Sequence, residues 1–189
     1  YQKAADLGSS LGINNLGYCY QNEIGTSIDK QKAFELYQKA ADLGNAHGMN
    51  SLGNCYQNGI GTSIDKQKAF ELYQEAADLE STYGINNLEY CYQDGIGTSV
   101  DKQKAFELYQ EAADLGSTDG MNNLGDCYQN GIGTSTDKQK AFGLYQKAAN
   151  LESADGIINL GYCYKNGIGI SVDKQKAFEL YQKAADLGN

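Results

Sequence analysis

Tyr1-Gln-Lys-Ala-Ala-Asp-Leu-Gly8 opens the chain and returns at Tyr37, and the same or nearly the same residues follow Tyr73, Tyr109, Tyr145 and Tyr181. The interval is 36 residues each time, so five full units occupy 1–180 and a nine-residue stub, 181–189, starts a sixth. A unit this short cannot bury an apolar face alone, so the period implies units stacked on their neighbours. Working outward from Tyr37, the stretch Asp29 to Gly44 reads as a helix, here helix B. Ala33, Leu36, Tyr37, Ala40 and Ala41 fall on one face of it. Asp29 is placed to cap its N-terminus, and Gly44 offers a left-handed stop. A second helix, A, starts near Ser9 and turns Ile13, Leu16, Cys19 and Tyr20 inward. Gly12 and Gly17 on helix A allow a neighbouring helix to approach closely. Between A and B lies Glu23-Ile-Gly-Thr-Ser-Ile28, whose first five residues become Gly-Ile-Gly-Thr-Ser in the next three copies. Those glycines break the helical run. No stretch alternates as a strand would. The chain 1–189 therefore reads as one all-α solenoid: half a helix over 1–8, five A–loop–B units, and a last helix B at about 173–187.

The run from Ser51 to Ala77 carries Leu52-Gly-x-x-Tyr56, Gly59-x-Gly61, Asp65, Lys68-Ala69, Tyr73 and Ala76-Ala77. In these residues and intervals the chain resembles the Sel-1-like repeat family, and the resemblance recurs five times. It implies a right-handed superhelix of helix pairs, related to the tetratricopeptide repeats. It also implies that A helices line the concave side and that protein–protein scaffolding is the role. Four departures touch local packing: Leu36 stands where the family often has an aromatic, Thr26 replaces a common Val, Ser27 a common Pro, and Glu23 a loop Gly.

Composition narrows the partners. The chain has 189 residues, 41% of them hydrophobic, and a net charge of −9. That charge argues against nucleic acid or an anionic membrane, which need clustered cations; it favours a basic partner, and simple solubility accounts for it equally well. No apolar run approaches the roughly 18 residues of a spanning helix, and no signal-peptide pattern opens the chain. Beginning at Tyr1, it reads as a segment of something longer or a processed product. It has no Asn-x-Ser/Thr sequon.

Five cysteines, Cys19, Cys55, Cys91, Cys127 and Cys163, share one core-facing position of helix A. Stacked helices lie about 8–10 Å apart, beyond the roughly 7 Å Cα limit for a disulfide. With one His and no Cys-x-x-Cys, no zinc shell can be assembled. Buried free thiols follow, and with them a reducing, cytoplasmic setting and no metal or other cofactor. Ser27-Ile-Asp-Lys30 and its copies at Ser63, Ser99, Ser135 and Ser171 match the Ser-x-x-Lys of penicillin-recognising hydrolases. No companion motif accompanies them, and the serine precedes a capping Asp in a turn. A β-lactam-type hydrolase is therefore a remote reading, and no catalytic residue is assigned. Gly59-Ile-Gly61 reads as turn geometry, since it lacks the third Gly, strand and lysine of a phosphate loop. His47, without an acid–base partner at helical spacing, reads as an ordinary surface residue.

Differences between copies are more informative than the constant positions. On helix A, repeat positions 11, 15, 18 and 22 project within about 60° of one another. Position 11 is Leu11, His47, Tyr83, Asp119 and Asp155; position 18 is Tyr18, Asn54, Tyr90, Asp126 and Tyr162. Position 22 is Asn22, Asn58, Asp94, Asn130 and Asn166, and position 15 is Asn or Ser throughout. Of 15 tyrosines, the two repeated positions typified by Tyr20 and Tyr37 take 11, and the four left, Tyr18, Tyr83, Tyr90 and Tyr162, all lie on this stripe. Tyrosine adds contact area and Asn can bond an extended backbone, so the stripe is a candidate partner-binding surface. The residues expected to carry it are Tyr18, Asn22, Asn54, Asn58, Tyr83, Tyr90, Asp94, Asp126, Asn130, Tyr162 and Asn166. Tolerated exposed variation, or packing between adjacent repeats, is the competing account of the same residues.

On helix B, Glu35 and Lys39 are spaced for an i,i+4 pair. In the middle copies Glu71–Glu75 and Glu107–Glu111 become like-charge pairs, leaving an acidic zone. The retained Leu7, Leu187 and alanines at the two ends predict apolar end surface, hence further repeats or end-to-end self-association. The function expected is an adaptor for a peptide or protein partner, with a structural spacer between flanking domains as the alternative.

Overall fold

The computed structural model describes residues 1–187, and among them are eleven α-helices and no strand. They fall into two compact units, Tyr1–Asp101 and the segment from Lys102 on. The first unit holds α1 (Gln2–Asp6), α2 (Ser10–Gln21), α3 (Lys30–Asp42), α4 (Ala46–Asn58), α5 (Lys66–Asp78) and α6 (Thr82–Asp94). Here α2, α4 and α6 are A helices and α3 and α5 are B helices. The second unit holds α7 (Lys102–Asp114), α8 (Thr118–Asn130), α9 (Lys138–Asn150), α10 (Ala154–Asn166) and α11 (Lys174–Asp186). Its A helices are α8 and α10. None of these helices is long and apolar enough to cross a membrane.

The caps are those the local sequence calls for. Ser9 Oγ accepts from Gly12 N at 3.2 Å and Asn45 Oδ1 from Gly48 N at 2.8 Å at the starts of α2 and α4. Asp29 and Asp65 do the same for Lys32 N and Lys68 N at 2.9 and 3.1 Å at the starts of α3 and α5. These bonds satisfy donors that a helix start leaves open. After α4, Gly59 turns left-handed at φ +67°, and Ile60 N and Asp65 N return to Cys55 O and Tyr56 O. That two-point closure sets the antiparallel pairing of α4 with α5. In the first repeat Glu23 adopts φ +59° at the place Gly59 holds in the second.

Packing between helices explains the constant residues. A Cβ on Gly48 would lie 2.6 Å from Ala40 Cβ, and one on Gly53 would lie 2.6 Å from the Tyr73 ring. Bare backbone at these two points lets α4 seat against both α3 and α5. The core of the first unit gathers Ala33, Tyr37, Ala41, Leu52 and Cys55, flanked by Tyr20, Phe34 and Tyr56. Phe34 meets Tyr56 edge-on at 5.4 Å and Phe70 meets Tyr92 likewise, so each B helix is joined to the next A helix by a T-shaped pair. The second unit repeats the scheme with Ala141, Tyr145, Ile157, Leu160 and Cys163. Its edge-on pairs are Phe106–Tyr128 and Phe142–Tyr164.

One surface expectation differs. Glu35 accepts a hydrogen bond from Gln31 at 3.4 Å, and the ion pairs among the described residues include Lys68–Asp65, Lys140–Asp137 and Lys176–Glu179. An exposed Glu–Lys pair is worth only a few tenths of a kcal/mol, about 0.3–0.5, so a neighbouring amide displaces it easily.

Candidate functional site on the outward face of the A helices

Each A helix is gripped on two sides. In the first unit Gly12 of α2 lies over Ala4 of α1, and Gly17 lies against the Tyr37 ring of α3. Ile13 and Cys19 are buried between them. The turn of helix left over carries repeat positions 11, 18 and 22. There the surplus tyrosines stand outward: Tyr18 is 54%, Tyr83 61%, Tyr90 47% and Tyr162 48% exposed, whereas Tyr37, Tyr73 and Tyr145 of the repeated position are buried. Asn22, Asn58, Asp94, Asp126, Asn130 and Asn166 are exposed as well, and Asn54 is half-buried.

The character of this face differs between the units. In the first, Leu11, Tyr18, Tyr83 and Tyr90 are exposed apolar or aromatic groups, and His47 joins them. The His47 and Tyr83 rings sit 5.7 Å apart at 60°, and His47, Leu79, Glu80, Thr82 and Tyr83 line a recess of about 310 Å³. Taken as an isolated surface residue, His47 gives no hint of this. The signal is its repeat position, one unit before Tyr83. In the second unit the same face presents Asp119, Asp126, Asp155 and Tyr162, all exposed, and is mainly acidic.

Several polar groups on the stripe are already engaged. Asn22, Asn58 and Asn166 each donate from Nδ2 to the carbonyl four residues back, at 2.9, 3.0 and 2.9 Å. Each amide thus folds back onto its own helix, leaving Oδ1 as its acceptor for a partner. Asp126 Oδ1 accepts from the Tyr145 hydroxyl at 2.6 Å. The equivalent hydroxyls of Tyr37 and Tyr73 donate instead to Gln21 and Gln57. Burial, then the bond and charge of Asp126, push the Tyr145 hydroxyl far above its ordinary range. It therefore remains a donor at any physiological pH.

Position 15 is a correction to the stripe. Asn87 donates to Asn50 Oδ1 at 2.6 Å, and Asn159 donates to Asn122 Oδ1 at 3.4 Å. These amides tie one repeat to the next and belong to the packing between repeats. The first rung is missing: Ser51 stands where the next two repeats have Asn87 and Asn123, although Asn86 Oδ1, in the repeat before that of Asn123, has no partner among the described residues either. Asn14 Oδ1 is buried and has no hydrogen-bond partner among the described residues. Ser51→Asn should supply that donor and stabilise the first unit by about 1 kcal/mol. Urea unfolding of parent and variant measures it, and an unchanged or lower midpoint would reject the rung.

The five cysteines are buried, and none of them is in a disulfide. Burial pushes the Cys55, Cys91 and Cys163 thiols up to about 11, so they stay protonated and poorly nucleophilic near neutrality. The serines of the Ser-x-x-Lys copies are exposed in the A–B turn, ahead of the capping aspartates. The repeat pattern does not anticipate one feature: Glu89 is 1% exposed at the position that is Gly17, Gly53, Gly125 and Gly161 in the other repeats. Its departure from Gly is the available signal.

Comparison with known proteins gives a consistent assignment. A family model described as Sel1 repeat matches residues 1–9, 10–45, 46–81, 83–117, 118–153 and 154–189. Among solved structures, a Sel1 repeat protein from Oxalobacter formigenes is similar at 28% identity and a TM-score of 0.87, over 95% of this chain and 72% of that one. The protein c5321, described as a protective antigen present in uropathogenic Escherichia coli strains displaying an SLR fold, is similar at 29% identity and a TM-score of 0.88. All of this chain is covered there, but only 40% of c5321. Cysteine rich protein B of Helicobacter pylori is similar at 32% identity and a TM-score of 0.52, over 67% of this chain and 90% of that one. A comparison with curated protein sequences returns no match.

Proposed function

We propose that this chain, which belongs to the Sel1 repeat family, is an adaptor holding a protein or peptide on the outward face of its A helices. Sel1 repeat proteins are in general protein-interaction scaffolds. The observation that supports placing the contact on this face is the outward standing of Tyr18, Tyr83, Tyr90 and Tyr162, each about half exposed or more, while the repeated tyrosines serve the core. Exposed Tyr supplies rigid, amphipathic contact area and is enriched at the energetic centres of interfaces. Leu11 and His47 extend the apolar part in the first unit, and the Oδ1 atoms of Asn22 and Asn58 remain to accept from a partner's backbone N–H. The aspartates of the second unit favour a partner with basic residues. Buried thiols such as those of Cys55, Cys91 and Cys163, which stay protonated near neutrality, suit a reducing compartment, which supports an intracellular setting.

Near-identity of the five copies supports a second reading, a spacer that sets the distance between flanking domains. A pull-down with the parent chain and a Tyr18, Tyr83, Tyr90, Tyr162→Ala variant of equal helicity separates the two. Partners retained by the parent and lost by the variant support the adaptor. The same partners on both would move the contact off this face, and none on either would favour the spacer.

A further inference from the structure

Gly143 is the one glycine among the described residues for which packing and backbone give no reason. The other helical glycines lie against an Ala or a Tyr ring, and the loop glycines adopt positive φ. Gly143 has an ordinary helical backbone in the middle of α9, and a Cβ there would meet nothing within 4 Å. Gly in a helix interior is unfavourable relative to almost any other residue. The four other repeats carry Glu at this position, as Glu35, Glu71, Glu107 and Glu179.

Two pockets at equivalent positions show what the change does. In the first unit, Gln38, Leu52, Tyr56, Lys68, Leu72 and the pair Glu71 and Glu75 surround about 200 Å³. In the second, the matching residues surround about 430 Å³, with Gly143 in place of Glu71 and Lys147 in place of Glu75. Both carboxylates are gone and one ammonium is added, so the pocket's own charges change from one cation and two anions to two cations. Lys140 stays within 3.9 Å of Asp137 and over the Tyr128 ring at 4.9 Å, while Lys147 makes no ion pair among the described residues. Leu124 and Leu144 complete an apolar part. Leu124 and Tyr128 project from the side of α8 opposite Asp119 and Asp126, so this pocket is separate from the tyrosine stripe.

We propose that the pocket between α7 and α9 is a binding site for a carboxylate carried on an apolar body, the anion meeting Lys147 and Lys140 and the apolar part meeting Leu124, Leu144 and the Tyr128 ring. Its volume falls in the range of small-ligand pockets. The same chemistry is offered by a free organic acid or by an acidic side chain beside an apolar one in a partner protein.

The test is an NMR titration of the full chain with benzoate and, separately, with an N-acetyl-Leu-Glu amide, each to about 20 mM, well above a millimolar Kd. Saturable shifts at Gly143 and Leu144, absent at Glu71 and Leu72 of the matched pocket, are expected with at least one probe. Tighter binding of benzoate identifies a free acid as the source, and tighter binding of the dipeptide identifies a partner's side chains. Gly143→Glu restores the residue of the other repeats, keeps the fold, and should weaken binding by about tenfold or more. No saturable shift with either probe, equal shifts in both pockets, or undiminished binding in Gly143→Glu would overturn the site.

Discussion

Gly61→Ala will destabilise the chain by about 3–4 kcal/mol, and Gly25→Ala, the same change one repeat earlier, by only about 1 kcal/mol. Both glycines are left-handed, at φ +67° and +68°, so both substitutions meet the conformational cost of a Cβ in that region. The surroundings differ. A Cβ on Gly61 would run into the Lys30 carbonyl oxygen, with the carbonyl carbon at 2.8 Å and Phe34 Cβ at 3.0 Å, whereas one on Gly25 would meet nothing within 4 Å. The chain already accepts Glu23, Glu80 and Glu152 at φ +56° to +60°, so the backbone conformation alone is tolerated where there is room. Lys30 lies in the first turn of α3 and Gly61 in the loop after α4, and their closeness is the seam between the first and second repeats. Urea unfolding of the two variants against the parent gives the comparison. Equal losses would mean that the left-handed backbone, and not the close approach, is what matters.

Tyr73→Ala is the second large effect, a loss of about 3–5 kcal/mol, against about 1 kcal/mol for Tyr73→Phe. The Tyr73 ring is fully buried, fills the space that Gly53 leaves on α4, and places its hydroxyl 3.1 Å from Gln57 Oε1. Alanine removes the ring and leaves a cavity beside a backbone that cannot close over it, because that ring sets the antiparallel seat of α4 on α5. Phenylalanine keeps the volume and forfeits one hydrogen bond. Thermal or urea unfolding reads both. A Phe variant as unstable as the Ala variant would assign the stability to the Gln57 bond instead of the packing.

Much of this architecture is legible in the residues themselves. The helix pair, the caps at Ser9 and Asp29, the glycine stops and the inward face of Ile13, Cys19 and Tyr37 all depend on neighbours within about one turn of chain. The 36-residue period repeats them from copy to copy, with Glu23, Glu80 and Glu152 standing in for the glycine at three of the stops. The outward standing of Tyr18, Tyr83, Tyr90 and Tyr162 is legible for a related reason: once the constant positions fill the core, residues that vary at helical spacing fall on the side left over.

Contacts across space are not legible in this way. Spacing alone puts Asn87 on the outward stripe, yet it bonds to Asn50, 37 residues back, because an amide at the margin of a helix face reaches whichever neighbour comes close enough. Asp126 shares repeat position 18 with Tyr18, and only the position of the Tyr145 hydroxyl shows that its carboxylate already has a donor. Gly53 and Gly143 are each a glycine inside a helix, one recurring in the repeats and the other not, but the sequence does not show what each faces. One lies under a Tyr ring and the other opens onto a pocket flanked by Lys140 and Lys147. Period and local spacing dictate the helices, their caps and the residues that must be buried, because each of those depends on near neighbours in the chain. What stands opposite a given side chain, and so whether it packs, bonds or is free for a ligand, depends on residues far away in the chain and is settled by the tertiary fold alone.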